Sequence, residues 1–89
     1  MADRNQTGPK KTISAIIVKL PAEIGAIVRQ TRKSAGLSQI EAASMCKVGT
    51  RFLSDLENGK SSIHLGKTMQ VLRAFGLVVQ LKKKTLTNE

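Results

Sequence analysis

The sequence predicts a mostly α domain of four to five short helices, closed by one short C-terminal β-strand. Three observations predict it. Ile24, Ile27, Val28 and Thr31 recur at helical spacing, and so do Leu65, Met69, Leu72 and Phe75. Ser38-Gln39-Ile40-Glu41 is a capping box, in which a hydroxyl and a carboxylate each satisfy an amide at a helix start. Gly36, Gly59 and Gly76 fall where periodic stretches stop, as helix-ending residues do. The 89 residues leave room for one domain with a small core.

In chain order, residues 1–11 are polar, with Gly8, Pro9 and two lysines, and read as a disordered basic arm. The domain body spans 12–82. Thr12 to Leu20 is rich in Ile and Val and reads as a strand or an extended segment. Pro21 suits a first helical turn and Glu23 complements its positive end, so the first helix runs from there to the stop at Gly36. The second starts at Gln39 and reaches about Cys46. Lys47-Val48-Gly49 makes a turn. A third helix runs from Thr50 to about Asn58, with Gly49 as N-cap, Leu53 and Leu56 facing inward and Phe52 at the margin. The fourth spans Leu65 to Phe75. Leu77, Val79 and Leu81 then alternate with Val78 and Gln80, the pattern of a strand. A lone strand has no stability, so it needs a partner: the strand of a second subunit, or 12–19 of the same chain. Lys82, Lys83 and Lys84 blunt its edge, and 83–89 fray as a tail.

Composition narrows the function. Fifteen Lys and Arg oppose six Asp and Glu, a formal net charge of +9 that favours a polyanionic partner. Phe52 and Phe75 are the only aromatic residues, too few for the stacking platforms of single-strand and RNA binders, so duplex DNA is the favoured polyanion. No apolar run is long enough to cross a membrane, and the N-terminus lacks a secretory pattern, so the expected location is cytoplasmic, in association with the nucleoid. One cysteine, Cys46, gives no internal disulfide and reads as a core residue; His64 stands alone in the loop before the fourth helix. With no nucleophile paired to a base, no phosphate-cradling loop and no metal-ligand cluster, neither an enzyme nor a cofactor is expected.

Two short helices joined by a three-residue turn form a helix-turn-helix unit. Close crossing demands a small residue, which Ala43 supplies, while Cys46, Val48, Leu53 and Leu56 fill the wedge between the helices. On these residues, and on Leu37-Ser38-Gln39 through Leu56-Glu57-Asn58-Gly59-Lys60, the chain resembles the phage-repressor-type (Cro-like) helix-turn-helix family from about Ile24 to Gly76. The run Arg51 to Lys60 is similar to one branch, the HipB-like antitoxins. Those repress their own operon and partner a HipA-type serine/threonine kinase toxin. One residue departs from the pattern: members usually place glycine where this chain has Lys47, which implies a left-handed backbone at Lys47 or a turn relaxed by Gly49.

The resemblance implies which residues meet DNA. Thr50, Arg51 and Ser54 occupy the face of the recognition helix that enters the major groove, with Gly49 and Asp55 beside them. Arg51 suits the two acceptors of guanine; Asp55 either accepts from cytosine or orients Arg51. Gln39, with its side chain and the free amides of the helix start, Lys47, Asn58 and Lys60 suit the phosphate backbone. Leu77, Val79 and Leu81 would form the dimer strand. The implied partners are palindromic double-stranded operator DNA, a second copy of the chain and a HipA-like kinase. A free-standing repressor without a toxin, or an adaptor that keeps the fold and binds protein, are the alternatives.

Overall fold

The computed structural model describes residues 15–84. Four α-helices order the described residues: α1 (Pro21–Ser34), α2 (Gln39–Cys46), α3 (Thr50–Glu57) and α4 (Leu65–Ala74). The basic arm 1–11 and most of the tail lie outside that range.

Each helix starts and stops for local reasons. Glu23 accepts the backbone amides of Lys19 and Leu20 at the head of α1, 2.8 Å from the latter. Ser38 and Glu41 close the capping box of α2 at 3.1 and 2.9 Å. The imidazole Nδ1 of His64 accepts the Lys67 amide at 3.1 Å and so caps α4. All four helices end in the same paired hydrogen bonds, in which the residue after a left-handed residue bonds back five positions and the left-handed residue itself bonds back three. Glycine occupies that position after α1, α3 and α4, and Lys47 occupies it after α2.

The core is Val28 of α1, Ala42, Ala43 and Cys46 of α2, Leu53 and Leu56 of α3, and Val71 and Leu72 of α4. α3 lies in the middle, packed on α1 and α2, while α4 packs on α2. The approach of α1 to the C-terminal end of α3 is close enough to require Gly25. A Cβ there would collide with the Leu56 carbonyl oxygen and lie 2.8 Å from that of Glu57.

The structure corrects the reading of the helices and strands in two places. The buried face of α4 is Thr68, Val71 and Leu72, with Phe75 half-buried; Leu65 and Met69 are exposed. Two apolar stripes overlap on this helix, and polarity favoured the wrong one. Thr68 can be buried because its hydroxyl donates to the His64 carbonyl at 2.9 Å, which satisfies it within the helix.

The second correction concerns the strands. No β-strand occurs among the described residues, neither at 77–81 nor at 15–19. Leu77 packs against the core, but beyond it the chain has no regular secondary structure and pairs with nothing among the described residues, with Val79 half-exposed and Leu81 94% exposed. The residues alternate as in a strand, yet a ladder needs a neighbour, and 15–19 does not provide one. Instead 15–20 and 76–84 both line one apolar hollow, together with Ile24, Ile27 and Leu72. Ile17 is 82% and Val78 is 91% exposed along it.

Candidate nucleic-acid interface

The link between α2 and α3 sets the geometry of the site. Lys47 takes φ 60°, ψ 43°, the left-handed conformation that a side chain disfavours. The turn is closed by Val48 donating to the Ala43 carbonyl at 3.0 Å and Lys47 to that of Ser44 at 3.2 Å. A side chain from α4 reinforces it: the Gln70 amide donates to the carbonyls of Cys46 and Lys47, at 2.8 and 3.2 Å. Those carbonyls end α2 and have no partner within it. The left-handed alternative is therefore the one adopted, held from outside the motif.

The angle between the helices rests on a buried ion pair. Arg32, in the last turn of α1, makes a two-pronged contact with Glu57, the last residue of α3: Nε to Oε2 at 2.6 Å and Nη2 to Oε1 at 3.0 Å. The remaining Nη1 donates to the Leu37 carbonyl at 2.9 Å. Gln39, the first residue of α2, donates to Glu57 Oε1 at 3.1 Å. The side chains of Arg32 and Glu57 are only 10% and 2% exposed. Burial pushes the Glu57 carboxyl up, but the Arg32 guanidinium and the Gln39 amide outweigh it and hold Glu57 below the usual carboxylate range. One carboxylate thus joins three helices. The sequence carried a signal for it: Arg32 and Glu57 each follow a core residue, Val28 and Leu53, by four positions and so sit in the buried phase of their helices. Sequence reasoning missed the pair, as it missed Gln70.

This network also corrects the expectation for Gln39. Its side chain is turned inward to Glu57, so it offers its backbone amide at the start of α2 rather than a free carboxamide.

The outward face of α3 carries Arg51, Asp55 and Asn58, with Leu53, Leu56 and Glu57 opposite them. Arg51 is 92% exposed and its Nε lies 3.9 Å from Asp55 Oδ1, while Lys60 Nζ lies 3.6 Å from Asp55 Oδ2. Asp55 thus stands between two cations, an arrangement that suits orienting Arg51. Ion pairs this exposed contribute only about 0–1 kcal/mol to stability, so they leave both cations available to another anion. Thr50 is exposed and Ser54 half-buried on one flank, and Asn58 donates to Ser54 Oγ at 3.5 Å. Lys47 and Gly49 are exposed in the turn. The residues that the sequence assigns to DNA therefore gather on and beside α3, except the carboxamide of Gln39, while Leu77, Val79 and Leu81 lie apart along the hollow. No group of three metal-ligating side chains occurs among the described residues, and no described helix is long and apolar enough to cross a membrane.

Residues 28–78 match the family described as helix-turn-helix. The chain belongs to this helix-turn-helix family. It is 45% identical over 64 residues to the uncharacterized HTH-type transcriptional regulator y4mF of Sinorhizobium fredii (strain NBRC 101917 / NGR234), a match covering 72% of this chain and 84% of that protein. Among solved structures, a HipA–HipB complex with the O2 and O3 sites and a HipB complex with an O4 20mer share the fold. Each gives a TM-score of 0.70 at 18% identity, over 80% of this chain and all of theirs. As a member of the helix-turn-helix family the chain is a DNA-binding transcriptional regulator. Its four helices and the placement of α2 and α3 agree with that of the resembled family.

Proposed function

We propose that this protein represses transcription by binding palindromic operator DNA as a homodimer, and that it is the antitoxin of a HipA-type kinase. The observation that carries the DNA reading is the recognition helix itself: Arg51 stands almost fully exposed on its outward face, braced by Asp55, with Lys60 beyond the helix end. In the proposed contact, the Arg51 fork reads guanine from the major groove, with Gly49, Thr50, Ser54 and Asp55 at its sides. The Gln39 backbone amide and the side chains of Lys47, Asn58 and Lys60 hold phosphates and fix the register. An adaptor that had abandoned DNA would have no use for these cations on one face.

The dimer reading is supported by the apolar hollow. Leu77, Val79 and Leu81 line it, and Ile17, Val78 and Leu81 are almost bare. A second copy laying its own 77–81 segment there would complete a ladder and cover these side chains. It would also set two recognition helices about 34 Å apart, one per major groove. The antitoxin reading is supported by the fold shared with HipB in its complexes with HipA, O2 and O3, and with an O4 20mer. The free-standing repressor is supported by the likeness to y4mF, a transcriptional regulator by name.

Binding-site selection from random duplexes tests the first part. The expected product is an inverted repeat with half-sites one helical turn apart; recovery of no preferred sequence overturns operator recognition. The second part is tested at the neighbouring gene. A HipA-type kinase reading frame whose product co-purifies with this chain is expected, and its absence leaves the free-standing repressor.

A further inference from the structure

A recognition helix about 10 Å across in a groove about 12 Å wide lies between two phosphate backbones, one on each side. On one flank of α3 stands the start of α2, which Gln39 ties to Glu57. The other flank is the Phe52 side, and there the chain presents a cation that the motif does not include. Lys67, in the first turn of α4, holds its ammonium over the Phe52 ring, 5.9 Å from the centroid. Phe52 is half-buried against the core, so the ring is a fixed platform, and Lys67 is exposed above it. No carboxylate among the described residues pairs with Lys67: the described ion pairs involve only Glu57 and Asp55. His64 Nδ1, which could compete for a proton donor, is occupied by the Lys67 backbone amide.

We propose that Lys67 is a phosphate-binding residue that grips the DNA strand opposite the one met by α2, with Phe52 as the positioning residue that holds the ammonium beside α3. The site extends the interface from the two-helix unit to α4. It also assigns a use to an aromatic residue that the core accommodates only at its margin. The inference rests on the DNA-binding reading above. It adds that the grip on the duplex is two-sided.

The experiment measures affinity for the duplex recovered by site selection, and for a scrambled duplex, over a salt series. The proteins are the wild type, Lys67→Met, Lys67→Arg and Arg51→Ala, each with a thermal melt. Lys67→Met keeps an unbranched stem on the Phe52 ring and removes only the charge. It should weaken binding to both duplexes by the same factor and lower the slope of log affinity against log salt by about 0.9. Lys67→Arg should restore the slope. A merely structural lysine would shift the melt and leave the slope unchanged, and that result overturns the proposal while wild-type binding and the Arg51→Ala loss keep the DNA reading intact. If the wild type binds neither duplex, the DNA reading fails and this inference with it.

Discussion

At the scale of single residues, two cations near Asp55 are expected to do different work. Arg51 faces outward from the first turns of α3, and Lys60 lies past its end. Arg51→Ala should cost about 1–3 kcal/mol of binding at one base pair and relax the preference there, because the guanidinium fork matches guanine. Lys60→Ala should weaken all sequences alike and reduce the salt slope by roughly one. Affinities on cognate and singly substituted sites, over a salt series, separate the two; equal losses at every sequence would show that the recognition helix is misplaced. Lys47 is a different case, since its left-handed backbone is strained in a free-energy sense. Lys47→Gly removes a cost of about 1–2 kcal/mol and adds part of it back as chain entropy, for a net gain of roughly 0.5–1 kcal/mol. In a domain of this size that raises Tm by about 2–8 °C. The same substitution removes a charge from the DNA face, so the melt should rise while affinity falls. A melt that falls would mean that the lysine side chain contributes more to the fold than its backbone costs.

At the scale of elements, the relation of α1, α2 and α3 depends on Glu57. A buried carboxylate with one partner removed leaves the other charge uncompensated, so Glu57→Gln should destabilise by about 3–5 kcal/mol in a urea titration at neutral pH. The pH dependence has a definite sign. Glu57 is held below its ordinary value by Arg32 and Gln39, so its stabilisation is present above the unfolded pKa, near 4.5, and is lost as pH falls through the lowered folded value. Glu23 and Glu41 shift in the same direction, each lowered mainly by backbone amides that its carboxylate accepts. The wild type should therefore lose stability steadily as pH drops below about 4.5. Glu57→Gln should show a shallower fall over that window, since its share is already gone. An acid limb as steep in the variant as in the wild type would remove Glu57 from this role.

At the scale of the whole molecule, the four-helix body leaves two apolar segments uncovered along one hollow. Burial of apolar surface is worth about 25 cal/mol per Å², and an unpaired segment leaves its backbone donors open as well, so association of two copies through this face is the expectation. Sedimentation at micromolar concentration should give a dimer. Val79→Asp and Leu81→Asp should shift it to monomer and weaken palindrome binding far more than half-site binding. A wild-type monomer that still binds the palindrome as a single site would dispose of the dimer.

The local signals in the sequence were sufficient for every helix. The capping box at Ser38 located α2 to the residue, and Gly36, Gly59 and Gly76 marked three helix ends, because caps and left-handed stops act within five residues of chain. That Arg51, Ser54 and Asp55 would share one short helix was legible for the same reason, since its period is known. What the sequence left open depends on neighbours that are distant in the chain. Thr68 is buried in place of Leu65 because of where α4 meets α2, and Gln39 turns inward because Glu57 lies beside it. Lys47 keeps its left-handed turn with the help of Gln70, from another helix. The 77–81 segment has the alternation of a strand, yet a strand is a property of two segments, and no partner stands beside it within the described chain. Propensity and capping are local free energies and can be read in order along the sequence; burial and pairing are decided only when separate segments meet.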